Sequence, residues 1–311
     1  MSNLRYPAVP LITVDPHFNI WSMTDKLYDD VTRFWTGRRQ NMLGLIKVDG
    51  VLYRFMGKVN ADNRYHKEPD CLEQTSVRVY PMRSVYIFEN SEIRLTLTFM
   101  SPLLLDDLKL LSRPVSYISY KIENLDGKEH QATLYFELDC EIGVDDPNQS
   151  VTYEIYDGGI RCGKGERDVL IPTKTAGELE YGGDDRCIDW GWLHIFSGEG
   201  FEPTLKTTYQ LFNPPGMRSD RKQSITENSF SFDNKIVYIG LEKEFALNTK
   251  PICGFVCAGY DDIHSVKYFS KMIDAYYKKE RTYVERRLRN TLKYVSVWRG
   301  QKRNFLTKRR Q

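Results

Sequence analysis

Apolar and polar residues alternate with a period of two along most of this chain. Ile93, Leu95, Leu97 and Phe99 alternate with Arg94, Thr96 and Thr98. Successive side chains leave a strand on opposite sides, so this run predicts a strand with one buried and one wet face, ended by Ser101-Pro102. Ala132, Leu134, Phe136, Leu138, Cys140 and Ile142, set against Thr133, Tyr135, Glu137, Asp139 and Glu141, predict a longer strand in a wide sheet. Leu45–Val48 and Val51–Phe55 flank Asp49-Gly50, which supplies the positive φ of a two-residue hairpin turn. A second hairpin is expected from Ser116–Glu123, a turn at Asp126-Gly127, and Ala132–Ile142. Residues 76–88 read as one or two strands interrupted at Pro81. Shorter strands are expected near 151–156, 159–162, 188–196, 205–212, 229–232, 235–242 and 251–258. Turn clusters such as Asp157-Gly158-Gly159 and Gly182-Gly183-Asp184-Asp185 separate them.

Many hairpin-linked strands with no intervening helical pattern predict an all-β fold, a large antiparallel β-sandwich over residues 1–262. Residues 1–60 are expected to be built into it. The apolar run Leu11–Val14 stops at Asp15-Pro16, and Phe18, Ile20, Trp21, Phe34 and Trp35 follow, an apolar load that belongs in a core. The period then changes. Val266, Phe269, Ile273, Tyr276, Tyr277, Val284, Leu288, Leu292 and Val295 follow three- and four-residue steps, which predicts a C-terminal α-helical segment over 263–298. Asp261 or Asp262 is placed to cap its start. Residues 299–311 read as a basic, disordered tail.

With 311 residues, the chain has ample length for a core. A net charge of +2 hides an asymmetry, because residues 278–311 hold 13 Lys or Arg against two Glu. The helical stripe in this basic end carries core-like residues on one side, so nucleic acid is not the expected partner. The six cysteines form no Cys-x-x-Cys and no zinc spacing, and are expected to be thiols in a reducing compartment. The first twenty residues hold three prolines and no long apolar run, and no run approaches the roughly 18 apolar residues of a membrane span. The expected location is therefore cytoplasmic, with no membrane partner.

Several stretches resemble the start of the glutaminase A family of bacteria and fungi. They are Pro7-Ala8-Val9-Pro10-Leu11, Asp15-Pro16, Ile20-Trp21-Ser22, Trp35-Thr36-Gly37, Asp49-Gly50 and Tyr53-Arg54-Phe55-Met56-Gly57. Thr98-Phe99-Met100-Ser101-Pro102, Asp189-Trp190-Gly191 and Gly259-Tyr260-Asp261-Asp262 continue the likeness in order. The resemblance implies an amino-terminal β-sandwich region that a helical toroid follows in the family. It implies hydrolysis of L-glutamine to L-glutamate and ammonia, and relatives that are often exported. This chain then corresponds to the first part only, an accessory or scaffold domain inactive alone. Its expected partner is a missing or separately encoded helical half, with self-association through 263–298 as a second expectation.

Candidate chemistry is sparse. Turn chemistry accounts for most of the paired aspartates; Asp145 and Asp146 are the weak metal candidates, and no metal or cofactor is expected. The histidines are scattered, and no His-x-x-x-His or Gly-x-Ser-x-Gly occurs. Gly163-Lys164-Gly165-Glu166 lacks the ending of a phosphate loop and reads as a hairpin tip. No catalytic residue is assigned. Asp15, Trp21, Trp35, Asp189, Trp190 and Trp192 are the candidates for a ligand or inter-domain surface. Trp190 and Trp192, two apart on an expected strand, would share a face. Exposed, they would suit the alternative reading, a carbohydrate-binding or glycoside-hydrolase accessory sandwich.

Overall fold

The computed structural model describes residues 5–59, 68–145, 151–163, 185–207, 229–230, 237–262 and 264–279. In chain order the strands are β1 (Val9–Asp15), β2 (Phe18–Ser22), β3 (Met42–Val48), β4 (Val51–Met56), β5 (Asp70–Cys71), β6 (Glu73–Tyr80), β7 (Arg83–Glu89), β8 (Ile93–Met100), β9 (Val115–Asn124), β10 (His130–Asp139), β11 (Val151–Tyr156), β12 (Gly159–Gly163), β13 (Gly191–Phe196), β14 (Glu202–Thr207), β15 (Ser229–Phe230), β16 (Val237–Leu247), β17 (Ile252–Asp262), β18 (Val266–Tyr268) and β19 (Lys271–Ile273). One helical turn, α1 (Leu108–Leu111), interrupts them, started by the Asp107 carboxylate accepting from the Leu110 amide.

Two sheets face each other. A six-stranded sheet runs β14-β16-β10-β3-β4-β5, and a nine-stranded sheet runs β15-β11-β12-β13-β17-β9-β8-β7-β6. All pairings are antiparallel except β4 with β5. The core lies between the sheets: Phe55 meets Phe88 at 5.8 Å between ring centres, and Tyr120 meets Phe136 at 6.3 Å. This is the expected all-β sandwich. β8 alternates buried and half-buried along its length, and the turn at Asp49-Gly50 takes φ values of 46° and 87°, as a primed hairpin demands.

The amino end is part of this core. β1 and β2 pair with each other, and Leu11, Ile12, Phe18 and Ile20 are almost fully buried. Thr13 N donates to Ser101 Oγ at 3.1 Å, and Ser84 Oγ donates to Pro10 O at 2.7 Å, stitching the segment to the nine-stranded sheet.

Two expectations fail in instructive ways. The hairpin from Ser116 to Ile142 does not form: β9 pairs with β8 and β17, whereas β10 pairs with β3 and β16 in the opposite sheet. Residues 125–129 arch across the sandwich. Alternation fixes which face of a strand is buried, not which strand lies beside it. The strand also ends at Asp139, whose carboxylate accepts from Glu141 N at 3.0 Å and opens the 3-10 turn Cys140–Gly143.

The second departure concerns the first part of the helix expected over 263–298, residues 264–279. β18 and β19 form a hairpin, and only Tyr276–Lys279 is a helical turn; residues 280–298 and the basic tail lie outside the described residues. Positions 266, 269 and 273 satisfy a three-to-four step equally well in a short hairpin, and Val, Tyr, Phe and Ile favour strands. Asp261 and Asp262 cap no helix. They accept from Tyr277 Oη at 2.5 and 3.4 Å instead. All six cysteines are free thiols, and no helix among the described residues is long and apolar enough to cross a membrane.

Candidate functional site

Five of the six residues singled out in the sequence come together where the amino-terminal segment meets Asp185–Trp190. Asn19 organises the near side. Its Oδ1 accepts from Trp21 Nε1 at 2.8 Å and from Trp35 N at 3.3 Å, while its Nδ2 donates to Pro16 O at 2.8 Å. Trp21 is half-buried and its backbone bridges to Arg33; Trp35 remains 49% exposed. Asp15 lies exposed in the β1–β2 turn and accepts from His17 N at 2.8 Å. Across from them, His17 Nδ1 meets Arg186 O at 3.1 Å, Thr36 Oγ1 donates to Asp185 at 2.6 Å, and Ile188 N donates to His17 O at 3.2 Å. Arg186 pairs with Asp189 at 3.4 Å, and the Trp190 ring meets His17 edge-on at 5.5 Å. Trp190 is buried, and its Nε1 has no hydrogen-bond partner among the described residues.

Trp192 belongs elsewhere, and the expected shared face with Trp190 is not formed. Trp190 precedes β13 and packs in the main core with Leu193 and Ile195. Trp192 lies beneath Arg161, 4.4 Å from the ring centre, on the opposite side of the sheet. A strand that starts only at Gly191 breaks the alternation on which the shared face depended. Buried His194 stands on that outer side, its Nδ1 at 3.0 Å from Tyr156 Oη; burial pushes its pKa down to about 4, so the ring is neutral.

Beneath the rim lies an ionic seam that sequence reasoning missed. Arg38 reaches Asp145 at 3.2 Å, and Asp145 also accepts from Cys187 N at 2.9 Å. Its carboxylate thus serves a guanidinium and a backbone amide; Asp146 lies outside the described residues. Among the described residues no group of three His, Cys, Asp or Glu is placed to hold a metal. Arg39 meets Asp139 at 3.0 Å and Glu141 at 3.9 Å and donates to Tyr238 Oη at 3.2 Å, while Asn41 Nδ2 donates to the same hydroxyl at 3.1 Å.

Two residues earlier on β10, Glu137 is equally enclosed. It accepts from Thr204 Oγ1 at 3.2 Å and faces Lys206 at 3.6 Å. Gly240 lies directly opposite, and a Cβ there would sit 1.7 Å from the Glu137 carboxylate, so only glycine leaves room. The one signal for both acids is their place on the polar side of the β10 alternation, beside Thr133 and Tyr135, which reads as a wet face. It could not be used without knowing that β3 and β16 flank β10 and that the outer face is covered.

Burial disfavours the charged form of both acids. It pushes Asp139 up to about 7 against the opposing pull of Arg39, and Glu137 up to about 8 against Lys206. His130 is also raised, because its ring nitrogens face Asp49 at 2.7 Å and Asp126 at 2.9 Å. Only the doubly protonated ring donates to both. Each of the three groups holds its proton more tightly in the folded chain than in the unfolded one. Each therefore adds stability that is complete below its unfolded pKa and is lost as pH rises through its folded value. The melting temperature is expected to fall between about pH 4 and about pH 8, and Glu137→Gln, which mimics the protonated acid, should flatten that slope. Thermal melts across the interval check this; a rising melting temperature contradicts it.

Comparison with known proteins follows the same segments. A profile described as Domain of unknown function (DUF4964) matches residues 1–64, and one described as Domain of unknown function (DUF5127) matches residues 82–297. Glutaminase A of Aspergillus oryzae is 27% identical over 202 residues, covering 61% of this chain and 27% of its own. A probable glutaminase of Arthroderma benhamiae is 22% identical over 215 residues, covering 64% of this chain and 24% of its own. The chain thus spans about a quarter of the length of the curated relatives it matches. Among solved structures, a protein named as a kojibiose phosphorylase from the human microbiome covers 81% of this chain and 30% of its own at 8% identity, with a TM-score of 0.37. The heparan sulfate lyase HepC of Pedobacter heparinus covers 64% and 23% at 9% identity, with a TM-score of 0.28. Neither of these likenesses carries weight for the chemistry. With a profile match over more than half of its length and two curated relatives named as glutaminases, the chain belongs to the family described as Domain of unknown function (DUF5127) and bears out the resemblance to glutaminase A.

Proposed function

We propose that this sandwich is the scaffold region of a glutaminase-like amidohydrolase, which converts L-glutamine to L-glutamate and ammonia with reacting groups supplied by the helical region that follows in the family. The observation that carries the reading is the match of more than 60% of the chain to each of two curated glutaminases. The geometry supports a scaffold role. Amide hydrolysis needs an activated water or nucleophile and donors aimed at the developing oxyanion. Burial brings Glu137 to about 8 and Asp139 to about 7, within reach of acid–base work, yet both are enclosed and already engaged by Lys206, Thr204 and Arg39. The rim that carries Asp15, Trp21 and Trp35 then borders the inter-domain cleft, with Asp189 and Trp190 as its buried support. The carbohydrate alternative loses its platform, because Trp190 is buried and Trp192 lies on the other side of the sheet.

The test is ammonia release from L-glutamine. The 311-residue chain is assayed alone and mixed with the part of Aspergillus oryzae glutaminase A outside the matched stretch. Turnover is expected in the mixture and not with the chain alone. Turnover by the chain alone, abolished by a single carboxylate substitution within the sandwich, would make this region catalytic and overturn the reading.

A further inference from the structure

Exposed apolar side chains are not spread evenly over this molecule. Of the fifteen large apolar residues exposed among the described residues, nine lie on two short stretches, residues 103–108 and 266–276. These stretches are neighbours in space, because α1 packs against the helical turn Tyr276–Lys279. Leu105 is 79% exposed and Phe269 84%, with Leu108, Tyr268, Ile273 and Tyr276 also open. Exposed apolar surface concentrated in this way marks a surface that another body covers.

The backbone gives a second, independent sign. The turn between β18 and β19 has φ values of 42° at Phe269 and 65° at Ser270. This left-handed region is one that glycine or asparagine ordinarily occupies, and a bulky aromatic there is an outlier that costs energy. What the strained turn achieves is to hold the Phe269 ring at the hairpin tip, edge-on to Tyr268 at 4.6 Å. An exposed aromatic held out rigidly is the anchor expected at the centre of an interface.

We infer that this patch, centred on Phe269 and Leu105, is the docking surface for the region that follows the shared sandwich in the glutaminase relatives. The inference rests on the scaffold reading above. Its occupant is chosen by position and length: the family match ends at residue 297, shortly beyond the patch, and the relatives extend to about four times the matched length. The occupant's face is apolar, aliphatic and aromatic, to complement what it covers.

Hydroxyl-radical footprinting of side chains tests this on the full 311-residue chain. The probe is again the part of Aspergillus oryzae glutaminase A outside the matched stretch. Oxidation of Phe269, Tyr268 and Leu105 should drop several-fold when the probe is added. Val51 and Ile155, each 53% exposed and on other strands, should be unchanged. Phe269→Ser, a change at an exposed turn, should weaken binding of the probe about ten-fold or more. No protection of the patch overturns the inference. So does a patch already protected in the chain alone, which would assign it to residues 280–311 or, if protection grows with protein concentration, to a second copy. Protection without glutamine turnover leaves the docking surface standing and removes the scaffold reading. Turnover without protection does the reverse.

Discussion

Deleting residues 1–22 is expected to abolish soluble folding. Leu11, Ile12, Phe18 and Ile20 are each at most 2% exposed and contribute to the main core. Truncating one buried aliphatic or aromatic side chain costs about 2–5 kcal/mol. Removing four together costs about 8–20 kcal/mol, comparable to or above the roughly 5–15 kcal/mol that holds a domain folded. The deletion also leaves Ser84, the Thr13-binding hydroxyl of Ser101 and the Ile188 amide without their partners in β1 and His17, and such groups are costly when enclosed. Yield in the soluble fraction and near-ultraviolet circular dichroism measure the effect. A soluble deletion variant with an unchanged melting temperature would show that this segment is an appendage.

Arg39→Ala should be the most damaging single change in the ionic seam, and its cost should depend on pH. Asp139 is wholly enclosed, and Arg39 supplies the charge that faces it. Breaking a buried pair by removing one partner costs about 3–5 kcal/mol when the remaining charge cannot escape. Above the folded pKa of about 7 the Asp139 carboxylate is charged, so near pH 8 the loss should approach that range. Near pH 5.5 the carboxyl carries its proton and the loss should shrink to about 1–2 kcal/mol, the value of hydrogen bonds alone. Urea unfolding at the two pH values separates the terms. An equal loss at both would mean that Asp139 does not titrate in the folded chain over this interval.

The sequence was most informative where the local pattern alone decides the outcome. The turn at Asp49-Gly50, the alternating β8 and the buried amino end all rest on residues within a few positions of one another, and each appears as expected. Strand pairing was not legible in the same way. Nothing in residues 115–142 distinguishes two neighbours in one sheet from two strands facing each other across a core, because both arrangements bury the same side chains. The first part of the helix expected over 263–298 is a hairpin instead, for a related reason. Three apolar residues at three-to-four spacing cannot separate a helix from a tight hairpin, and the unusual turn at Phe269-Ser270 carries no glycine to announce itself. Five of the six rim candidates converge because they lie in segments that pack against one another. Trp192 does not, since its face depended on where β13 begins. The seam of Arg39, Asp139 and Tyr238 joins residues a hundred or more positions apart, and no local pattern points to it.

Proton affinity is what would make Glu137 or Asp139 a catalyst, and enclosure is what argues for a structural role instead. The decisive measurement is the turnover number for L-glutamine of the mixture with the relative's remaining region, read for Glu137→Gln and Asp139→Asn one at a time, on protein shown to be folded by its melting transition. A scaffold predicts turnover numbers within about two-fold of the unsubstituted chain, since neither group touches the substrate. General acid–base groups contribute about 100- to 10,000-fold. A loss of that size in a folded variant would place the chemistry inside this sandwich and contradict the scaffold reading.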